Sequence, residues 1–339
     1  MMRVLHLVGS AFNDFYCDLS RFYAQDCLDA TADATQYEFH IAYVTPDRLW
    51  RFPKSLERDA IAAAEILTIS EAVQVLIELK IDVMLPQMFC IAGMTSYRAL
   101  FDLLSIPYVG NTPDLMALAA NKARTKAIVS AAGVNVPEGE ILRIGNFPKI
   151  ATPAVVKPIN ADNSQGLGLV KNPSEYDKAL KTAFSFSDEI LVERYIELGR
   201  EVRCGIVVEK GKLICLPLEE YALDENQPSI RRYEDKLKLD SDGELEAVAK
   251  GNEKSWIVDP SDPITARVWE AARTCHIALG CRHYSLFDFR IDASDRPWFL
   301  EAGLYCSFAK KSVISEMARA SGIPLKRLFQ NAINNALGI

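Results

Sequence analysis

The sequence has no Cys-x-x-Cys pair and no histidine spacing that a metal site would use. Its eight cysteines are scattered, mostly in apolar segments such as those around Cys204, Cys215 and Cys275. Its four histidines, His6, His40, His276 and His283, form no ligand pattern. Both absences argue against a zinc centre, and they make reduced core thiols the reading of the cysteines rather than disulfides. No apolar run approaches the ~18 residues of a membrane-spanning helix. No stretch concentrates lysine and arginine, and the net charge is −7, which argues against a nucleic acid or a membrane surface as partner. The first apolar run, Val4 to Val8, is too short for a signal sequence and no cleavage site follows it, so the expected address is the cytoplasm. The Gly-Lys-Ser/Thr of a Walker P-loop is missing, as are internal repeats and low-complexity tracts.

What is present is a chain of 339 residues, 49% hydrophobic, enough for a sizeable core and about two or three domains. Its first third alternates strand and helix: strands at Val4–Val8, Phe39–Val44 and Ile81–Leu85, helices at Leu19–Leu28, Glu71–Leu79 (with Ser70 as N-cap) and Thr95–Leu104. That order predicts a parallel sheet with flanking helices. A helix entered through Thr112-Pro113 is expected to run to Gly133. The middle predicts strands at Ala154–Lys157, Leu167–Lys171 and Ile190–Glu193, with a helix to about Phe184. The last part predicts an antiparallel pair, Glu201–Val208 and Leu213–Leu218, then a polar stretch from Leu223 to Gly251 with little periodicity. Helices at Pro263–Leu279, Val313–Ala320 and Leu325–Ala336 follow.

The most informative segment is one hairpin. In Tyr284 to Ile291, Phe287, Phe289 and Ile291 alternate with Asp288 and Arg290, so the two sets face opposite ways. After a polar turn, Pro297 to Glu301 returns. If Trp298 and Leu300 share the apolar face, Phe299 and Glu301 share the face of Asp288, and Glu301 comes close to opposite Asp288. Like charges opposed across a ladder are destabilising. A cation between them removes the problem, and hard oxygen donors suit Mg²⁺, which usually also takes substrate phosphates. Lys157 ends a strand before the small-residue loop Asn160 to Gly166, whose N–H groups around Ser164 and Gly166 are able to cradle phosphate oxygens.

The order of these pieces resembles the ATP-grasp superfamily, and within it the D-alanine–D-alanine ligases. The pieces are Lys122 in a helix, Lys157 on a strand, the small-residue loop, Glu193-Arg194-Tyr195-Ile196 with Glu201, a basic loop, then Asp288 and Glu301. The resemblance covers nearly the whole chain and includes the Val8-Gly9-Ser10 loop and Ile106 to Asn111. It implies a mixed α/β and α+β fold: an N-terminal parallel-sheet domain (1–112), a small central ATP-grasp subdomain (113–198) and a C-terminal antiparallel-sheet subdomain (199–339). It implies ATP and Mg²⁺, small-molecule substrates and a homodimer. It makes Lys122 and Lys157 the phosphate lysines, and Asn163, Ser164, Gln165 and Gly166 the flap. Glu193 to Ile196 becomes the hinge that receives the adenine amino group, and Glu201 the ribose carboxylate. Lys236 becomes a loop lysine reaching the γ-phosphate, and Asp288 and Glu301 the metal carboxylates. Asp14, Ser307 and Ser312 become substrate contacts.

The same residues have plainer readings. Lys122 and Lys236 are able to be solvated charges, and Glu193 and Glu201 to face water on a sheet. Ser312 suits the N-cap of the helix at Val313. Tyr305 and Phe308 read as core.

The chain departs from the ligase pattern at three places. The arginine two residues before the metal aspartate, which steadies the tetrahedral intermediate, is Leu286. The metal-ligand asparagine two residues after the metal glutamate is Gly303. A Gly-rich loop with a glutamate in the first-substrate pocket is replaced by Ala11 to Tyr16. Four segments, Val4–Ser10, Phe15–Ser20, Leu85–Cys90 and Gly303–Phe308, resemble the branch of these ligase homologues that acts in mycosporine-like amino acid biosynthesis. That resemblance implies ATP-dependent joining of mycosporine-glycine to an amino acid such as serine or threonine through a phosphorylated cyclohexenone oxygen. A dipeptide ligase and a non-catalytic nucleotide-binding relative are the other readings.

Overall fold

A computed structural model describes residues 1–161, 165–197, 199–222, 237–239, 245–247 and 255–339. Near the N-terminus, β1 (Met2–Gly9) pairs in parallel with β2 (Tyr37–Val44) and, after β3 (Trp50–Arg51), with β4 (Val83–Pro86), giving the order β3-β2-β1-β4. β1 is apolar on both faces because helices cover both, as a parallel sheet requires. Gly9 ends it with φ +97, and a Cβ there would lie 2.0 Å from the carbonyl oxygen of Val44, so only glycine fits this turn.

A four-stranded antiparallel sheet follows, built from β5 (Gly139–Arg143), β6 (Ala154–Pro158), β7 (Gly168–Val170) and β8 (Glu189–Arg194), in the order β5-β8-β6-β7. The helix Tyr176–Phe184 packs on it through Tyr176, Leu180 and Ala183. The C-terminal antiparallel sheet runs β14 (Ser255–Ile257), β11 (Glu219–Tyr221), β9 (Arg200–Glu209), β15 (Tyr284–Ile291), β16 (Pro297–Gly303), with β10 (Lys212–Cys215) also on β9. The helix Pro263–Leu279 covers one face of it, and Val268, Ala272 and Cys275 share a core with Phe287, Phe289 and Phe299. The mixed parallel and antiparallel architecture is the one expected. The eight cysteines are free thiols. No described helix is long and apolar enough to cross a membrane.

Several local expectations change. Thr68, not Ser70, caps the helix Ile69–Leu79: its hydroxyl accepts from the Glu71 N–H while the Glu71 carboxylate accepts from the Thr68 N–H at 2.7 Å. The first helix starts at Asp14 rather than Leu19, because the Asn13 side chain accepts from the Tyr16 N–H. The helix entered through Pro113 does not run on to Gly133. It stops at Ala119, and Asn121 caps a second helix, Lys122–Ala131, by accepting from the Arg124 N–H at 3.0 Å. The polar stretch after Leu223 contains two short paired strands, β12 (Leu237–Leu239) and β13 (Leu245–Ala247).

The hairpin carries the largest correction. Asp288 does pair with Glu301, but Phe289 pairs with Phe299, so Leu300 is the extra residue of a β-bulge. The bulge breaks strict alternation. Phe299 turns into the core against Phe287 and Phe289, and Trp298 lies across from Arg290, on the charged face. Without the extra residue, Phe299 and Glu301 would share one face, and one of them would be misplaced. Phe299 is fully buried. Phe299→Ala is therefore expected to cost roughly 3–5 kcal/mol, read as a lowered midpoint in urea denaturation.

Candidate active site

The charged face of β9, β15 and β16 forms one wall of a cavity, and the central sheet forms the opposite wall. Lys122, Lys157, Glu193, Arg194, Ile196, Glu201, Asp288 and Glu301 all line it, together with Gln165, Arg203, Tyr221 and Arg290. Residues expected to act on one nucleotide thus converge from segments up to 179 positions apart (Glu301 minus Lys122).

Each lysine is held by its element. The break before Asn121 makes Lys122 the first residue of the second helix. Its N–H donates to the Ile159 carbonyl at 3.0 Å and its ammonium to the Ala161 carbonyl at 2.6 Å. The same ammonium is 3.9 Å from Glu301 Oε2. Lys157, on β6, lies 2.6 Å from Glu193 Oε2, on the adjacent strand β8. The other oxygen of Glu193 accepts from Lys126. The Glu193 side chain is only 3% exposed. Burial opposes its ionisation, but the two ammonium groups prevail and hold its pKa below the usual value. Burial, with Lys157 alongside, pulls the Lys126 ammonium below the ordinary lysine value against the attraction of Glu193. When both lysines are protonated the trio carries one net positive charge, with Lys157 on the cavity wall, which suits a phosphate.

The opposed carboxylates are also answered by protein cations. Arg203 faces Asp288 across the ladder, and its Nε donates to Asp288 Oδ1 at 3.0 Å. Its guanidinium lies 4.8 Å over the Tyr221 ring and 3.8 Å from Glu219 Oε2, which accepts from the Tyr221 hydroxyl at 2.7 Å. Burial alone would lower the Arg203 pKa, but Asp288 and the other anions around it raise it. The inference that a like-charged pair must be bridged by a metal is thereby weakened, since Arg203 and Lys122 already flank it. The donors still fit Mg²⁺. They are two hard carboxylates on one ladder, and the Glu301 side chain is 47% exposed. Among the described residues no group of three or more acidic, histidine or cysteine side chains could hold a metal, so phosphate oxygens and water would complete the shell.

Other expected residues fall elsewhere. Asp14 is exposed at the start of its helix. Ser307 is buried, and its carbonyl accepts from Gln87 Nε2 at 2.8 Å. Ser312 takes the N-cap position without capping: its hydroxyl bonds Ser315 at 2.7 Å. None of the three lines the cavity, nor do Gly166 and Tyr195. Ser164 and Lys236 lie outside the described residues. Phe308 is core as expected, but Tyr305 is 48% exposed, edge-on to Phe89 at 5.8 Å. The Glu193 side chain, expected at adenine, is taken by the two lysines. Leu286 pairs with Gly303, and a Cβ at Gly303 would meet nothing nearer than 3.8 Å, so packing does not demand glycine there.

Sequence reasoning missed Lys126, Arg203 and Tyr221. A signal existed for the first two. Lys126 sits one helical turn after Lys122, and Arg203 shares the face of Glu201 by strand alternation.

Residues 143–334 match the family described as D-ala D-ala ligase C-terminus. The chain is 31% identical over 245 residues to a D-alanine–D-alanine ligase of Citrifermentans bemidjiense, covering 71% of this chain and 74% of the relative. It is 26% identical over 327 residues to the vancomycin B-type resistance protein VanB of Enterococcus faecalis, covering 91% and 92%. Among solved structures it resembles the VanG D-Ala:D-Ser ligase of Enterococcus faecalis (TM-score 0.79, 22% identity, 99% of each chain). It also resembles the D-alanine–D-alanine ligase of Coxiella burnetii (TM-score 0.76, 19% identity, 99% and 94%).

The trio makes a specific stability prediction. Glu193→Gln leaves two ammonium groups beside a neutral amide and should cost about 3–5 kcal/mol. Lys126→Met keeps the Lys157–Glu193 pair and should cost less. Denaturant titration of both proteins at pH 7 checks the order.

Proposed function

The chain belongs to the D-alanine–D-alanine ligase family, and from that premise we propose that it phosphorylates an acceptor with ATP and joins the activated carbon to an amine. It is an ATP-grasp ligase that forms a carbon–nitrogen bond with release of ADP and phosphate. The match to catalytic relatives favours an enzyme over a non-catalytic relative. The observation that carries the proposal is the convergence of Lys122, Lys157, Asp288 and Glu301 on one cavity.

The residues divide the work by their chemistry. Asp288 and Glu301 would hold Mg²⁺, which supplies charge neutralisation at the β- and γ-phosphates when bound. Lys122 and Lys157 neutralise the phosphate oxygens, and Lys126 adds its charge through Glu193. The backbone of Arg194 and Ile196 is suited to the adenine edge, and Glu201 to the ribose hydroxyls. In transfer, an acceptor oxygen takes the γ-phosphoryl group and ADP leaves. The amine nitrogen then bonds the activated carbon, the C–O bond breaks, phosphate departs and the amine loses a proton. Holding acceptor and amine together contributes up to ~7–11 kcal/mol at best.

The acceptor has two readings. Relatives named as D-alanine–D-alanine or D-Ala:D-Ser ligases favour the dipeptide ligase. One observation favours mycosporine-glycine instead: Leu286 and Gly303 face each other with neither a donor nor an amide ligand. A phosphorylated cyclohexenone oxygen displaced by serine or threonine forms no carboxyl-derived oxyanion, so it loses less from a missing donor. The product would be an imino-mycosporine that absorbs at longer wavelength.

Two measurements test this. ATP, Mg²⁺ and D-alanine alone should release phosphate and give dipeptide under the first reading. Under the second they give neither, and mycosporine-glycine with serine or threonine gives a red-shifted absorbance with amine-dependent phosphate release. In whichever assay is active, Lys157→Ala and Glu301→Ala should each lower kcat by about 10²-fold or more. Near-wild-type turnover in both would refute the proposed site. Chelation by EDTA should abolish turnover and excess Mg²⁺ should restore it.

A further inference from the structure

Arg290 is buried on β15, two residues beyond Asp288, and nothing in the phosphoryl-transfer scheme uses it. It nevertheless makes directed contacts, among the described residues, with the segment proposed to receive the nucleoside. Its Nη2 donates to Glu201 Oε2 at 2.7 Å, and the two residues face each other across the β9–β15 ladder. Its Nη1 donates to the Ile196 carbonyl at 3.2 Å. Its guanidinium lies 5.2 Å from the centroid of the Tyr195 ring. One planar fork thus ties the backbone after β8 to the first residues of β9, and both ends line the cavity.

A surface ion pair would contribute little, but this one is almost closed to solvent, with 6% of the Arg290 side chain and 14% of the Glu201 side chain exposed. The bond from Arg290 fixes the direction of the Glu201 carboxylate, whose oxygens are the acceptors that ribose hydroxyls require. A carboxylate has two oxygens, each with more than one lone pair, so the contact through Oε2 leaves capacity for hydroxyl donors. The bond to the Ile196 carbonyl holds the Ile196–Glu197 peptide, at the point where the chain leaves the proposed adenine hinge. A lysine could reach one of these groups but could not hold them in a planar fork.

We propose that Arg290 is the positioning residue of the nucleoside site, setting the ribose carboxylate Glu201 and the hinge residue Ile196 in one fixed relation, so that it determines selectivity for the ribose. This inference rests on the nucleotide reading above. Arg290 does not touch the reacting atoms, so its loss weakens and despecialises nucleotide binding rather than slowing the chemical step.

The test is calorimetric titration of the full chain with ADP, 2′-deoxy-ADP and 3′-deoxy-ADP. The proteins are the wild type, Arg290→Met and Arg290→Lys, each first shown to unfold cooperatively. Wild type should prefer ADP over at least one deoxy analogue. Arg290→Met should lose about tenfold or more in ADP affinity, and the preference should fall toward unity. Arg290→Lys should lie between, and it carries the test if Arg290→Met does not fold. A general structural lesion would weaken all three ligands equally, so an unchanged preference ratio in the folded variants overturns the inference. Equal wild-type affinity for ADP and both deoxy analogues overturns it too, while leaving the nucleotide reading intact. Failure of the wild type to bind ADP at all would instead overturn the nucleotide reading itself.

Discussion

The arrangement of this protein depends on two carboxylates, Asp288 and Glu301, held opposite each other on neighbouring strands. At a separation of about 5 Å such a pair costs on the order of 3 kcal/mol at an effective dielectric near 20. Arg203 and Lys122 offset that cost from two sides, one across the ladder and one from a helix of a different layer. The countercharges lower the repulsion within the pair. They also bring the central helix, β9 and the hairpin to one point. Under the proposed function, a divalent ion arriving with a triphosphate would meet anions already oriented.

The second cluster has the opposite sign. Glu193 lies between the Lys126 and Lys157 side chains, and Lys157 faces the same cavity. The two clusters lie on opposite walls, an acidic pair facing a basic trio. Their separation into two sheets lets each be built independently. The helix break at Ala120–Asn121 joins them: it aims Lys122 at the acidic wall while Lys126, one turn on, pairs with Glu193.

Much of this was legible in the residue order. Alternation in Tyr284 to Ile291 was enough to put Asp288 and Arg290 on one face, and the facing of Glu301 followed from hairpin geometry. The βαβ rhythm of the first third announced the parallel sheet. The reading went wrong where one residue alters the phase. Leu300 bulges, so Phe299 enters the core although simple counting sends it outward. Asn121 caps, so one expected helix becomes two. Thr68 takes the cap from Ser70 because its partner Glu71 stands at the spacing that closes a reciprocal pair. A shift of this kind is a matter of single hydrogen bonds, which periodicity averages away.

By itself the sequence determined the alphabet of the site: which lysines and carboxylates exist, on which kind of element, and in what order. Side-chain period and chain order are local properties, so they survive without coordinates. Only the tertiary structure decided the pairings. Glu193 meets Lys126 across 67 positions, Arg203 meets Asp288 across 85, and Arg290 meets Glu201 across 89. Each is a choice among many charges of suitable sign, and what selects the partner is strand register and the burial that makes an unmatched charge costly.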